Sequence, residues 1–344
     1  MKVLVSALEP SSNLHLKEVL KHTKNVELIG IFDKNLGNPL YDISDMAIMG
    51  VVDAIKKLRW FFKVADEMVE LASQADKILL MDSSGFNLPL AKKLKKRYPN
   101  KEIIYYILPQ VWASRASRVK KLELYCDKLL GILPFEIDYY NSKAKYIGHP
   151  LLDEIKTSRQ NDKTYNAIAY MAGSRASEIK RLLPILKVVA LKLNDKKAIL
   201  VIPKHFSQQK IDDLYGDISS FEISKDTHKT LSEVDYAFIC SGTATLESAL
   251  IGTPFCLVYI AKKIDFFIGT KIFKIKTVGL ANIILSRHNG SFLHKEFLQD
   301  NVNVDNLLNE YKTHDNNIFS IKADELKNYL LHGSSKNVAT ILES

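Results

Sequence analysis

The residues best suited to chemistry lie where a β-rich run gives way to a helical one. Ala172-Gly173-Ser174-Arg175 is such a turn. Gly173 permits close backbone approach, Ser174 can cap, and a helix start offers free N–H groups to a phosphate that Arg175 would clamp. The same four residues also suit a capped turn with a solvated arginine. Ser241-Gly242-Thr243-Ala244-Thr245-Leu246-Glu247 repeats the arrangement, with Glu247 one turn in, able to accept from ribose hydroxyls or to act as an ordinary first-turn acid. Two phosphate-friendly turns in one half of the chain point to a nucleotide. In the other half, Asp82 of Met81-Asp82-Ser83-Ser84-Gly85-Phe86-Asn87 ends a strand, where a carboxylate can be a general base on a hydroxyl or cap the helix that follows. The next strand ends in Leu108-Pro109-Gln110-Val111-Trp112-Ala113-Ser114-Arg115, which sets Gln110, Trp112 and Arg115 on the same rim.

What is missing narrows the chemistry. No two of the 14 glycines are separated by a single residue, so GxGxxG is excluded, and there is no GxxxxGK[ST]. The 9 histidines form no HExxH and no cluster of metal-ligand spacing, which favours a reaction without a metal or other cofactor. Cys126, Cys240 and Cys256 have no CxxC spacing and sit in apolar runs, as expected of reduced thiols in the cytoplasm.

A formal charge of +9 implies an anionic partner without saying which. Gly50 to Val64, GVVDAIKKLRWFFKV, carries much of that character. At ~100° per residue, Val51, Ala54, Ile55, Leu58, Phe61 and Phe62 share a face that suits a core. Val52, Trp60 and Val64 fall elsewhere, among Lys56, Lys57, Arg59 and Lys63, in the manner of a helix lying on an anionic membrane. A solvated basic face with one stray aromatic reads equally from these residues. The first ten residues are too short and too polar for a signal peptide, and no apolar run approaches the ~18 residues of a spanning helix.

The elements that must position these groups follow from periodicity. Strands are expected over Lys2–Leu8, Val26–Phe32, Lys77–Met81, Glu102–Leu108, Lys128–Leu133 and Lys145–Ile147. They are expected again over Asn166–Met171, Ala198–Pro203, Phe221–Ile223, Tyr236–Cys240 and Phe255–Tyr259. Helical segments alternate with them, and the last ~50 residues read as helix. The polar stretch Lys156–Tyr165 reads as a linker. The fold class is α/β, with domains expected at 1–155 and 166–330 and a closing helix at 331–344 that packs back on the first. In parallel sheets ligands sit beyond the carboxyl ends of strands, where all these turns fall.

Taken together, MGVVDAIKKL, MDSSGFN, LPQVWASRASRV, ILPFE, YIGHPLLDEI, AGSRASEI, SGTATLE and VGLANIIL resemble the lipid-A-disaccharide synthases, from Ser11 to about Arg287. The resemblance implies GT-B architecture, two Rossmann-like domains facing across a cleft. It implies transfer of 2,3-diacylglucosamine from UDP-2,3-diacylglucosamine to 2,3-diacylglucosamine 1-phosphate (lipid X), at the cytoplasmic face of a Gram-negative inner membrane. By the same resemblance Asp82 is the catalytic base, and Gly173, Ser174, Arg175, Ser241, Gly242, Thr243, Glu247 and Asn282 form the UDP site. Ser11 matches the serine of the acceptor loop. The implied partners are the two lipid substrates and an anionic membrane surface, with no nucleic acid; a homodimer is left open. The chain departs from the family at Leu8-Glu9-Pro10-Ser11-Ser12-Asn13, where Gly-Glu-x-Ser-Gly-Asp is usual, and at Gly85, where an acid is common. Two other readings compete: another GT-B UDP-sugar enzyme, such as a UDP-N-acetylglucosamine 2-epimerase or a lipid-linked N-acetylglucosamine transferase, and a non-catalytic basic module for polyanions or membranes.

Overall fold

The computed structural model describes residues 1–44, 54–160, 163–261 and 277–344. The chain divides into two compact units, Met1–Glu154 with Leu330–Ser344, and Ile155–Tyr329, each considered by itself.

The first unit holds six parallel strands, β1 (Lys2–Ala7), β2 (Glu27–Ile31), β3 (Lys77–Met81), β4 (Ile103–Tyr106), β5 (Lys128–Gly131) and β6 (Ala144–Tyr146), in the order β2-β1-β3-β4-β5-β6. Neighbouring residues along a strand bury into opposite layers. Leu4, Ile78, Leu80, Ile103 and Tyr105 face one core. Val3, Val5, Leu79, Met81, Ile104 and Tyr106 face the other. A sheet covered on both sides needs strands apolar throughout, hence runs such as KILLM and IIYY. The second layer is completed by Val338, Ala339 and Leu342 of the helix Ser334–Glu343.

The second unit holds β7 (Ala167–Met171), β8 (Lys197–Val201), β9 (Glu222–Ser224), β10 (Tyr236–Cys240), β11 (Phe255–Tyr259) and β12 (Glu296–Leu298), again all parallel, in the order β12-β11-β10-β7-β8-β9. Counted within the unit this is the doubly wound 3-2-1-4-5-6 order, whose direction reverses between β7 and β10. In the first sheet the reversal lies between β1 and β3. Strand β12 was not anticipated: at three half-buried residues pairing only with β11, it lacks the apolar run that marks the others.

The helix Ala54–Leu71 corrects the helical wheel. Val64, Ala65 and Met68 are its buried stripe, with Phe61 and Trp60 packed beside them. Phe62, assigned to the core, is 52% exposed, and Val64, assigned outward, is fully buried. The wheel is phased from Val51, whereas the stripe of Val64, Ala65 and Met68 is centred about four turns later. Val52 lies outside the described residues, and Lys56 and Lys57 fall on the helix's first turns.

Candidate active site

At the reversal point of the second sheet, the turns after β7 and β10 line one cavity of about 430 Å³. Gly173, Ser174, Arg175, Ser241, Gly242, Thr243 and Glu247 all reach it. Gly173 sits at φ +98°, and a Cβ there would stand 2.6 Å from Glu178 Oε2 and 3.0 Å from Cys240 Sγ. Only glycine fits both the angle and the space. The helix Thr243–Ile251 begins at Gly242 without a side-chain cap, so its first N–H groups are open to a ligand.

Arg175 is 76% exposed and donates to Glu178 Oε1 at 2.7 Å, while its backbone N–H donates to Glu178 Oε2 at 3.2 Å. This capping box fixes the start of the helix Ala176–Lys192, and the carboxylate holds the guanidinium above its ordinary pKa. A diphosphate would draw the arginine from one anion to another. Glu247 is mostly buried and lies 3.4 Å from His228 Nε2. Neither Glu178 nor His228 was singled out from sequence; the S/T-x-x-E-like spacing of Arg175 to Glu178 is a signal for the first, and His228 has none.

Asn282 does not line this cavity. Its Nδ2 donates to His294 O at 2.9 Å and to Glu296 Oε1 at 2.8 Å, and its Oδ1 accepts from Leu293 and His294 N–H at 2.8 and 3.2 Å. Four bonds occupy the whole amide, so the structure gives Asn282 an internal, loop-tying place rather than an open one. Glu296 adds to that knot, accepting from Val278 N–H at 2.8 Å and Gly279 N–H at 3.1 Å.

In the first unit Asp82 follows β3, at that sheet's reversal point. Asp82 and Ser83 both have positive φ, +48° and +35°, a conformation that disfavours any side chain bearing Cβ. Neighbours hold it. The Tyr105 hydroxyl donates to Asp82 O, and Asn87 Nδ2 donates to Asp82 O at 3.0 Å and Met81 O at 2.9 Å. Asn87 is fully buried and its Oδ1 accepts from Ser6 Oγ at 2.6 Å. Burial raises the Asp82 pKa, with Glu9 adding to the rise; the Ser83 N–H and His15 oppose it. A carboxylate tuned upward is a better proton acceptor near neutrality.

The divergent loop is well built. Asn13 Nδ2 donates to Ala7 O at 2.8 Å and Glu9 O at 2.9 Å, while its Oδ1 accepts from Asp33 N–H at 2.7 Å. An amide performs this task where a carboxylate could not donate. Ser11 is exposed in the first turn of the helix Pro10–Leu20. Beside Asp82 lies a largely apolar cavity of about 430 Å³, walled by Leu8, Phe61, Phe62, Phe86 and Pro89. Gly85 lines it too, and a Cβ there would meet nothing within 4 Å, so the missing acidic side chain leaves its mouth open. Gln110 and Arg115 are exposed on the loop after β4, and Trp112 packs edge-on against Phe135, ring centres 5.4 Å apart.

Trp60 is half-buried, edge-on to Tyr41 and Phe61, and is not the outward group of its helix. Arg59 and Lys63 are exposed there, with Lys63 3.6 Å from Glu67. Among the described residues no three His, Cys, Asp or Glu side chains gather as metal ligands, and no helix is long and apolar enough to cross a membrane.

Solved structures with the same fold include UDP-GlcNAc 2-epimerase of Methanocaldococcus jannaschii, in complex with UDP-GlcNAc and UDP (TM-score 0.61, 12% identity, 100% of this chain and 99% of that one). A calicheamicin glycosyltransferase is similar at TM-score 0.59, 12% identity, with 99% and 97% covered. These likenesses carry the fold alone, the GT-B pair of Rossmann-like domains. Sequence relatives are far nearer. The lipid-A-disaccharide synthase of Helicobacter acinonychis is 47% identical over 98% of this chain and 97% of its own, and that of Campylobacter jejuni 46% identical over 98% of each. The profile of the lipid-A-disaccharide synthetase family matches residues 3–338. Identity at this level over 98% of the chain, with a family match that spans both units, makes the chain a member of the lipid-A-disaccharide synthetase family.

Proposed function

We propose that the chain transfers 2,3-diacylglucosamine from its UDP derivative to the 6-hydroxyl of 2,3-diacylglucosamine 1-phosphate. The sugar C1–O bond to UDP breaks, a C1–O6 bond forms on the opposite face, the hydroxyl proton passes to the Asp82 carboxylate, and UDP departs with the bonding pair. The observation that carries this is the 46–48% identity, over 98% of the chain, to enzymes named lipid-A-disaccharide synthase.

The two sites supply the parts such a transfer needs. Negative charge growing on UDP is met by Arg175 and by the uncapped start of the helix Thr243–Ile251, so we read the reaction as needing no cofactor besides its nucleotide-sugar substrate. Glu247, one turn into that helix, suits the ribose hydroxyls. Asp82, raised in pKa, suits the acceptor hydroxyl, and general-base help of this kind contributes about 10²–10⁴-fold. The apolar cavity walled by Phe61, Phe62 and Phe86 suits an acyl chain, and exposed Phe62 between Arg59 and Lys63 suits peripheral contact with an anionic inner-membrane face.

The test is UDP release in detergent with donor and acceptor together and each alone, in the parent and in Asp82→Ala. Release only with both substrates, with a disaccharide phosphate mass, and a fall of at least a hundredfold in Asp82→Ala at unchanged UDP affinity are expected. Equal loss of affinity and turnover would remove Asp82 from the base position, and release without acceptor would replace transfer by hydrolysis.

A further inference from the structure

The opposite edge of the second sheet carries a cavity of about 520 Å³ among residues that precede β7, β8 and β10 and residues of the helix Asn316–Leu330. Strands of five residues at ~3.3 Å each put it roughly 15 Å from the turns that follow β7 and β10. Among the described residues its walls are polar and cationic: Arg159, Lys163 and Lys196 against the carboxylate of Asp235, with Thr164 and Ser320 also lining it.

Arg159 is the unusual member. Its side chain is only 7% exposed, yet its guanidinium makes one hydrogen bond, Nε to Val234 O at 3.3 Å. Its nearest carboxylate, Asp235, stands 3.9 Å away and is shared, accepting from Tyr311 Oη at 2.9 Å and facing Lys196 Nζ at 3.6 Å. A guanidinium has five N–H donors, so among the described residues four lack a hydrogen-bond acceptor in a side chain almost wholly withdrawn from bulk water. The guanidinium carbon lies over the Tyr165 ring, 4.8 Å from its centre, a cation–π contact that leaves its N–H groups unused. Burial lowers the Arg159 pKa, a cost that a bound anion would relieve. The helix Asn316–Leu330 is not the recognising group, because Asp315 Oδ1 already accepts its Asn317 and Ile318 N–H groups at 2.8 and 3.0 Å.

We propose that this cavity is a second anion site, separate from the nucleotide site, which takes a small soluble phosphorylated ligand through Arg159 with Lys163 and Lys196. Bidentate contact to two phosphate oxygens would use the donors that the protein leaves open, and the two lysines would add point charges. The cavity is large enough for more than one phosphate or for a sugar phosphate.

Titration calorimetry with inorganic pyrophosphate on the full chain, with and without saturating UDP, tests it. The component that persists under UDP belongs to this site. It is expected to be present, to weaken as salt rises, and to weaken at least tenfold in Lys163→Gln and in Lys196→Gln, both of which leave the anchoring Arg159 in place, with UDP affinity unaltered. Arg159→Lys, which keeps the charge and loses the fork, is expected to weaken it further than either. A persistent component that is absent, or that stays within twofold in both lysine variants, overturns the proposal. Because these variants are read on pyrophosphate, failure here leaves the transferase assignment standing.

Discussion

Asn87 offers the sharpest trial of how the first unit holds its candidate base. Asn87→Leu keeps the volume and removes three hydrogen bonds of ordinary length, to Met81 O, Asp82 O and from Ser6 Oγ, at 2.9, 3.0 and 2.6 Å, besides a long one to Ser6 O at 3.5 Å. At about 1 kcal/mol each the unit should lose about 3 kcal/mol of stability, and more if the buried Ser6 hydroxyl finds no new acceptor. Two of those bonds hold the carbonyls flanking a turn that keeps Asp82 and Ser83 at positive φ, where each residue costs about 1–2 kcal/mol. Losing about 2 kcal/mol of that support shifts the turn's population by roughly 30-fold. Urea unfolding followed by first-unit tryptophan emission reads the stability, and UDP release under saturating substrates reads the turnover. A fall in turnover of 10- to 30-fold at unchanged UDP affinity is expected. A folded variant that lost about 3 kcal/mol but turned over within twofold of the parent would show that the network stabilises the domain without positioning Asp82.

Other outcomes follow from the same geometry. Arg175→Ala should weaken UDP binding by roughly 10- to 100-fold, the worth of one or two charge-assisted bonds, as read by calorimetry, and Glu178→Gln should tighten it by freeing the guanidinium from its present partner. Glu136, fully buried, has its pKa pushed up to about 7 from 4.5 by burial despite N–H bonds from Ile132 and Leu133. The folded chain therefore holds this proton where the unfolded chain has lost it, so its contribution is complete below pH 4.5 and declines, by about 3 kcal/mol, as pH rises to about 7. Glu136→Gln should abolish that slope in denaturation series from pH 4.5 to 8. Phe62→Ser with Lys63→Glu should release the protein from anionic vesicles in a flotation assay while UDP affinity holds, and undiminished flotation would take the helix Ala54–Leu71 off the membrane.

Much of this was legible in the sequence for a plain reason. Strands buried on both faces, such as Lys77–Met81 and Tyr236–Cys240, must be apolar throughout, so the polar residues able to do chemistry stand out in the turns that follow them. Gly173, Arg175 and the Ser241–Thr243 turn meet in one cavity because their strands are neighbours across the reversal of the sheet. The rest depended on partners distant in the chain. Nothing local marks Asn87 as a partner of Ser6, 81 residues earlier, or sets Asn282 facing inward to His294 and Glu296. The phase of the helix Ala54–Leu71 is likewise set by Met68 and Val64 meeting the sheet, and it exchanges the places expected of Phe62 and Val64.

The first unit is closed by residues made long after the rest of it. Val338, Ala339 and Leu342 seal the layer that contains Val3, Val5, Leu16 and Val19, and Asp153 accepts from Gly333 and Ser335 N–H at 2.8 Å each. During vectorial synthesis, the whole of Ile155–Tyr329 is therefore produced while one flank of the earlier sheet stands bare. The second unit can finish first, although it comes later in the message, and the earlier one waits as a sticky intermediate. A chain lacking only residues 330–344 would carry a complete second unit and an open first one, the species most exposed to chaperones and proteases.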